Sequence, residues 1–245
     1  VGNVTVLDNG GAGFAFTTIR GPIAVQEYLV DDTDPGWDRT GDWEFGHPTG
    51  LKDNPSEAPT GENIFGYDLD NWFPWHMDEE YLTTDPIDLT GVYEVRLDFE
   101  RWLGMIPDVY GNAAIRFRVG DGEWETIWEF VGGRMAPTEW SHMSYLLPSS
   151  VDNQSSVQIR WVMGTSEIHI DECGWNIDDI VLTGVVPPPP CIADLNEDSS
   201  LNFFDVSLFL SLYGDQDPLA DFSGDGVFNF FDVSEFLALF GSGCP

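Results

Sequence analysis

The C-terminal quarter of the chain spells one pattern twice, and the pattern dictates a small duplicated fold. Asp194, Asn196, Asp198, Ser200, Asn202 and Asp205 stand at positions 1, 3, 5, 7, 9 and 12 of a short loop. Asp221, Ser223, Asp225, Val227, Asn229 and Asp232 stand at the same positions 27 residues later. Oxygen donors at alternate positions of a tight loop converge on one hard cation, and calcium is the ion such loops hold. Side chains supply the donors at positions 1, 3, 5 and 12. The Ser200 and Val227 carbonyls serve at position 7, and Asn202 and Asn229 act through water. Gly226 supplies the sharp turn in the second loop, whereas Ser199 stands there in the first and predicts the more strained site.

An apolar segment follows each loop, Val206–Tyr213 and Val233–Phe240, and each is read as a helix stopped at Gly214 or Gly241. Between Cys191 and Pro245 there are ten carboxylates and no Lys or Arg. Unscreened, these charges repel one another, which again calls for cations. The two helices carry more apolar side chains than so small a domain can bury. Phe203, Phe204, Phe230 and Phe231 are therefore expected at a docking surface.

The lead-in helix of an EF-hand is missing, and in this respect residues 191–245 resemble a dockerin domain, down to Asp205 and Asp232 at position 12. The resemblance implies two calcium ions and a helix face docked on a cohesin, itself a jelly roll. The Phe-Phe pairs, the flanking Cys191 and the Gly243-Cys244-Pro245 ending depart from cellulosomal dockerins and resemble a variant of other bacteria. Cys191 and Cys244 bracket the repeat, so a disulfide between them would clasp the domain and implies an oxidising compartment. Cys173 is left over and reads as a buried thiol.

Upstream, Val185-Val-Pro-Pro-Pro-Pro190 marks a stiff linker. Before it the periodicity is two. Tyr93, Val95, Leu97 and Phe99 alternate with Glu94, Arg96, Asp98 and Glu100, Ile115, Phe117 and Val119 with Arg116 and Arg118, and Val157, Ile159, Trp161 and Met163 with Gln158 and Arg160. Strands with one apolar face indicate a β-sandwich. The expected fold is thus mainly β, a jelly-roll sandwich over 27–184, a linker over 185–190 and a small α-helical domain over 191–245. Gly41-Asp-Trp43-Glu-Phe-Gly46-His-Pro48, the segment from Tyr81 to Leu89, and Gly174-Trp175-Asn-Ile177-Asp178-Asp179-Ile180 resemble the jelly rolls of the MAM and immune-inhibitor-A accessory type in secreted bacterial proteins. That resemblance implies a further calcium site made by Glu27, Asp178 and Asp179; strand-end hydrogen bonding is the competing role for the two aspartates.

Residues 1–26 lie outside that resemblance. A short strand containing Val4 and Val6, followed by a glycine joint, is able to add to a neighbouring sheet edge. In the loop from Asn71 to Met77, Trp72 and Trp75 either cap the sandwich core or present rings to a sugar or a protein. Asn3 and Asn153 head glycosylation sequons. The chain begins at Val1, as a product freed of its signal peptide would.

Charge narrows the function classes. Forty-three acidic residues face nine basic ones, a formal net charge of −34, so nucleic acid is a poor partner. No apolar stretch reaches the roughly 18–20 residues of a membrane span. No hydrolase, metalloprotease or phosphate-loop signature occurs, and the four histidines are scattered. The sequence therefore predicts a secreted, extracellular or cell-surface, non-enzymatic bacterial protein. Its leading reading is a structural subunit that assembles with copies of itself, as in a filament, its docking module on a neighbour's jelly roll. The alternative is a glycan- or surface-binding accessory module held by a cohesin-like partner.

Overall fold

The computed structural model describes residues 21–28, 33–74, 76–108, 110–166, 171–187 and 190–243. The chain divides into two compact units that meet in sequence between Val186 and Pro187, close to the predicted linker. Val185 itself still belongs to the last strand.

The first unit is all β. Its strands are β1 (Ile23–Tyr28), β2 (Asp38–Arg39), β3 (Trp43–Gly46), β4 (Ile64–Tyr67), β5 (Glu80–Thr83), β6 (Tyr93–Gly104), β7 (Gly111–Val119), β8 (Glu125–Glu129), β9 (Ser141–Leu146), β10 (Val157–Ser166) and β11 (Gly174–Val185). One sheet runs β3-β4-β11-β6-β9 and the other β2-β5-β10-β7-β8, every pairing antiparallel. Strand four pairs with eleven, five with ten, six with nine and seven with eight. This is one long hairpin rolled so that its two layers face each other, which is the jelly-roll topology.

The alternation in the sequence sets which side chains enter the core. Val95, Leu97 and Phe99 of β6 and Val157, Ile159, Trp161 and Met163 of β10 are all buried, while Tyr93 at the mouth of β6 is exposed. In β11 the inward set changes parity, from Trp175 and Ile177 to Ile180 and Leu182. A bulge between Asp178 and Val181 makes the change, with Asp179 in the left-handed region at φ 50°. One extra residue flips every later side chain to the opposite face. Between the layers Trp37 stacks on Phe65 of one sheet at 5.0 Å and on Trp161 of the other at 5.8 Å. Each such aromatic contact contributes about 0.5–1.5 kcal/mol beyond area burial.

The sandwich begins earlier than residue 27. Ile23–Tyr28 pairs with Val181–Gly184 and Ile180 of β11 in its own sheet, so residues 23–26 are part of the jelly roll and not of a free extension. The rest of the predicted extension, Val4 and Val6 included, lies outside the described residues.

The second unit holds α1 (Phe203–Gly214) and α2 (Phe230–Ser242). Its core repeats with the sequence. Ala193, Phe209, Ala220 and Phe236 are buried, and the members of each like pair stand one 27-residue step apart. Phe209 and Phe236 stack face to face, 4.1 Å between centroids and 3° between planes. α2 runs past Gly241 to Ser242; its stop is Gly243, whose φ of 83° an L side chain rarely adopts.

Candidate functional site

The two loops of the helical unit share one hydrogen-bond scheme. At position 1, Asp194 and Asp221 each accept from the position-6 amide, Ser199 N and Gly226 N, at 2.8 Å. At position 5, Asp198 and Asp225 accept from Ser200 N at 2.9 Å and Val227 N at 2.8 Å. At position 12, Asp205 and Asp232 accept from Asn202 N and Asn229 N at 2.9 and 2.8 Å. They also reach back to position 3, to Asn196 N at 3.4 Å and Ser223 N at 3.1 Å. Backbone amides thus tether the carboxylates across each loop. The Asn229 amide, with Ser223 adding to it, holds the Asp232 carboxyl below the usual carboxylate range.

The backbone repeats as well. Positions 4 and 6 are left-handed in both loops, at φ 57° and 64° for Glu197 and Ser199 and 69° and 76° for Gly224 and Gly226. Loop one adopts with two L side chains what loop two adopts with two glycines. That strain costs roughly 1 kcal/mol per residue.

This donor set fits a calcium ion: tethered carboxylates at positions 1, 5 and 12, side-chain oxygens at position 3 and a carbonyl at position 7 in each loop. Among the described residues no three His, Cys, Asp or Glu side chains gather as a metal cage by themselves. A cation in either loop would accordingly need Asn, Ser and backbone oxygens to complete its shell. Asn202 and Asn229 have a role the donor reading missed. Each is a helix N-cap, accepting from Phe204 N or Phe231 N at 2.8 Å, and with Asp205 or Asp232 it closes a capping box. Asn-x-x-Asp before an apolar run was the available signal.

Phe203, Phe204, Phe230 and Phe231 form the first turns of the two helices and are 68–76% exposed; Leu210 and Leu237 are exposed at 58% and 53%. These, too, are pairs one repeat apart. The duplication extends from acidic loop through core to surface.

The other predicted residues are dispersed. Glu27 lies on β1 opposite Val181. Asp178 is buried, its Oδ1 accepting from Asp179 N at 2.8 Å, and Asp179 accepts from Thr60 at 2.5 Å. The trio is not a three-carboxylate cluster. Trp72 is half-buried with the Lys52 ammonium 3.8 Å above its ring, while Phe73 and Met77 of the same loop enter the core. Trp75 lies outside the described residues, as do Asn3 and Cys244. Asn153 is exposed at a left-handed turn, its side chain accepting from Gly91 N. Cys173 is a free thiol, fully buried, and burial pushes its pKa up to about 12, which suits packing and not nucleophilic chemistry.

One cluster was not anticipated. On the outward face of the second sheet, register places Arg116 beside Arg160 and Arg118 beside Gln158. The Arg160 guanidinium sits 3.9 Å from the Trp124 ring and 4.2 Å from that of Tyr81, and Arg118 lies 4.8 Å over Trp124. Arg160 Nε donates to Thr83, while Arg118 donates through Nε and Nη2 to Gln158. Arg116 grips Glu79 with both terminal nitrogens at 2.9 and 2.8 Å. Burial holds Arg160 below its ordinary value; Arg118 and Arg116 act in the same sense, and Tyr81 and Asp38 oppose them.

No family model matches the chain, and no curated protein matches it. Solved structures do. The CBM22-1 xylan-binding domain of Xyn10C from Paenibacillus barcinonensis is similar at 10% identity and TM-score 0.43, over 68% of this chain and 97% of that one. The K1 cleaved adhesin domain of Lys-gingipain from Porphyromonas gingivalis is similar at 12% and 0.42, over 66% and 98%. The C-terminal CBM6 of LamC, a laminarinase from Zobellia galactanivorans, is similar at 13% and 0.37, over 66% and 97%. Likeness this distant assigns no ligand. No described helix is long and apolar enough to cross a membrane.

Proposed function

We propose that the chain is an extracellular, non-enzymatic binding protein: a jelly roll that carries the ligand face, joined to a calcium-dependent, dockerin-like anchor. One observation carries the reading. The 27-residue equivalence continues to the surface, where Phe203, Phe204 and Leu210 and their counterparts Phe230, Phe231 and Leu237 stay exposed beside the two loops. A small unit that leaves six large apolar side chains in water, on helices whose starts are the ends of metal loops, is built to cover them with a partner. By the dockerin resemblance that partner is a cohesin-like protein. A Cys191–Cys244 bridge would clasp the unit as well.

Self-assembly into a filament has less behind it. Residues 23–28 already pair within their own sheet, and Val4 and Val6 lie outside the described residues. The alternative from the sequence, an accessory module holding a glycan or surface, therefore leads.

Calorimetric titration of the metal-free full chain with calcium tests the anchor. Two binding events are expected; Asp194→Ala removes one and Asp221→Ala the other. A chain that takes up no calcium would end this reading.

A further inference from the structure

We propose that the outward face of the second sheet binds a carboxylated glycan, with Arg118 and Arg160 gripping a uronate carboxylate and Trp124 and Tyr81 framing the sugar rings. The inference rests on reading the jelly roll as the ligand-carrying unit.

Only nine basic residues stand against 43 acidic ones. Among the described residues Arg96 and Arg101 also lack an ion pair, so the absence of one is not by itself distinctive. The clustering is, since three of the nine stand in neighbouring rows of one sheet face. Arg116 takes Glu79. Among the described residues, neither Arg118 nor Arg160 has a carboxylate within ion-pair distance. Adjacent unpaired guanidiniums repel each other, and an anion from outside the chain relieves that repulsion.

Stacking on Trp124 and Tyr81 explains the packing of these side chains but not their spare hydrogen-bonding capacity. A guanidinium laid over a ring keeps its N–H edge in the plane, free to donate outward. Arg160 spends Nε on Thr83, and Arg118 spends Nε and Nη2 on Gln158. Both terminal nitrogens of Arg160 and Nη1 of Arg118 have no protein acceptor among the described residues. The fork they offer matches a carboxylate.

The surroundings favour a sugar over an acidic peptide. β10 and β7 are interior strands whose backbone groups are committed to ladders on both sides, so a peptide gains no strand-type pairing on this face. What the face does offer is aromatic ring, hydroxyl and amide, from Trp124, Tyr81 and Gln158, and these are the groups that stack on and hydrogen-bond to pyranose rings. Asp38 and Glu129 also act electrostatically on these arginines, and with a net charge of −34 they make recognition short-ranged. An anion is held here by contact and not drawn in from a distance.

Calorimetry on the full chain with a galacturonate trimer tests this, at equal free calcium in cell and syringe. The trimer binds, and Arg118→Gln and Arg160→Gln each weaken it about ten-fold or more. Arg96→Gln, on the other sheet, leaves it unchanged. Arg118→Lys keeps the charge but loses both the bracing by Gln158 and the planar Nη1 donor, so it too weakens binding, and it reads the same contact should Arg160→Gln disturb the fold. Equal binding of the methyl-esterified trimer would overturn the carboxylate role while leaving a glycan reading intact. Binding of a poly-glutamate peptide as tightly as the trimer, through the same arginines, would replace the sugar with an acidic protein. No binding of the trimer overturns the proposal, and the calcium titration above still reports on the anchor by itself.

Discussion

The jelly roll and the helical unit solve the problem of stability in opposite ways. The sandwich encloses a continuous core in which Trp37, Phe65, Phe99, Trp161 and Trp175 interlock between two sheets. Its register is fixed by strands distant in sequence. Among the described residues of the helical unit four apolar side chains are fully buried, Ala193, Phe209, Ala220 and Phe236, with a shell of partly buried ones around them. A core this small only narrowly offsets the entropy of ordering the chain. Its loops are crossed by hydrogen bonds from backbone amides to the position-1 and position-12 carboxylates. Burial thus holds one unit, whereas the other is proposed to be completed by a ligand.

The sharpest way to break that contrast is to remove one aromatic from each core. Phe209→Ala takes away half of the central stack and should abolish the helical unit outright, with its helical circular dichroism signal lost. Trp161→Ala should cost the sandwich about 3–5 kcal/mol, leaving a shifted but cooperative denaturant transition. Comparable partial losses in both units would mean that their cores do not differ in kind.

A smaller effect separates the two loops. Ser199→Gly relieves a left-handed φ of 64° and should stabilise loop one by about 1 kcal/mol, raising its calcium affinity toward that of loop two. Gly226→Ser should do the reverse. Equal affinities in all three chains would show that the backbone difference is without consequence.

The smallest effect concerns pH and the sandwich. The hydrogen bonds from Arg116 hold the Glu79 carboxyl below its usual range. A folded pKa below the unfolded one adds stability that is complete above the unfolded value of about 4.5. That stability is lost as pH falls through the depressed one. Arg116→Gln should therefore flatten the acid limb of a melting-midpoint profile, by a margin that partial solvent exposure keeps under about 1 kcal/mol.

The helical unit was legible because it is duplicated. A 27-residue step carries loop onto loop, Phe209 onto Phe236 and one exposed Phe pair onto the other, so each reading was checked by its twin. The long strands β6, β7 and β10 were legible from alternation. The short strands between residues 38 and 83 were not: they are two to four residues long, too brief to show a period, and most are ordered by pairing with strands far along the chain. Trp37 gave no sign that it would bridge the sheets, since its neighbours Gly36 and Asp38 carry no periodicity. The bulge at Asp179 is set by sheet geometry that a list of residues does not contain. The arginine face stayed hidden for a related reason. Arg116 and Arg118 were seen as the polar half of one strand and Arg160 as the polar half of another, and only the register brings them side by side. Asn202 and Asn229 carry a capping role that the donor pattern did not announce, because a metal-donor pattern and a capping box use the same letters.

On the function proposed above, calcium completes the helical unit and leaves the stability of the sandwich unchanged. A heat scan of the full chain, in calcium and then in excess chelator, tests this directly. Two transitions are expected with calcium, of which chelator removes the helical one together with its circular dichroism signal and leaves the sandwich transition in place. Two transitions unchanged by chelator, with the helical signal retained, would contradict it.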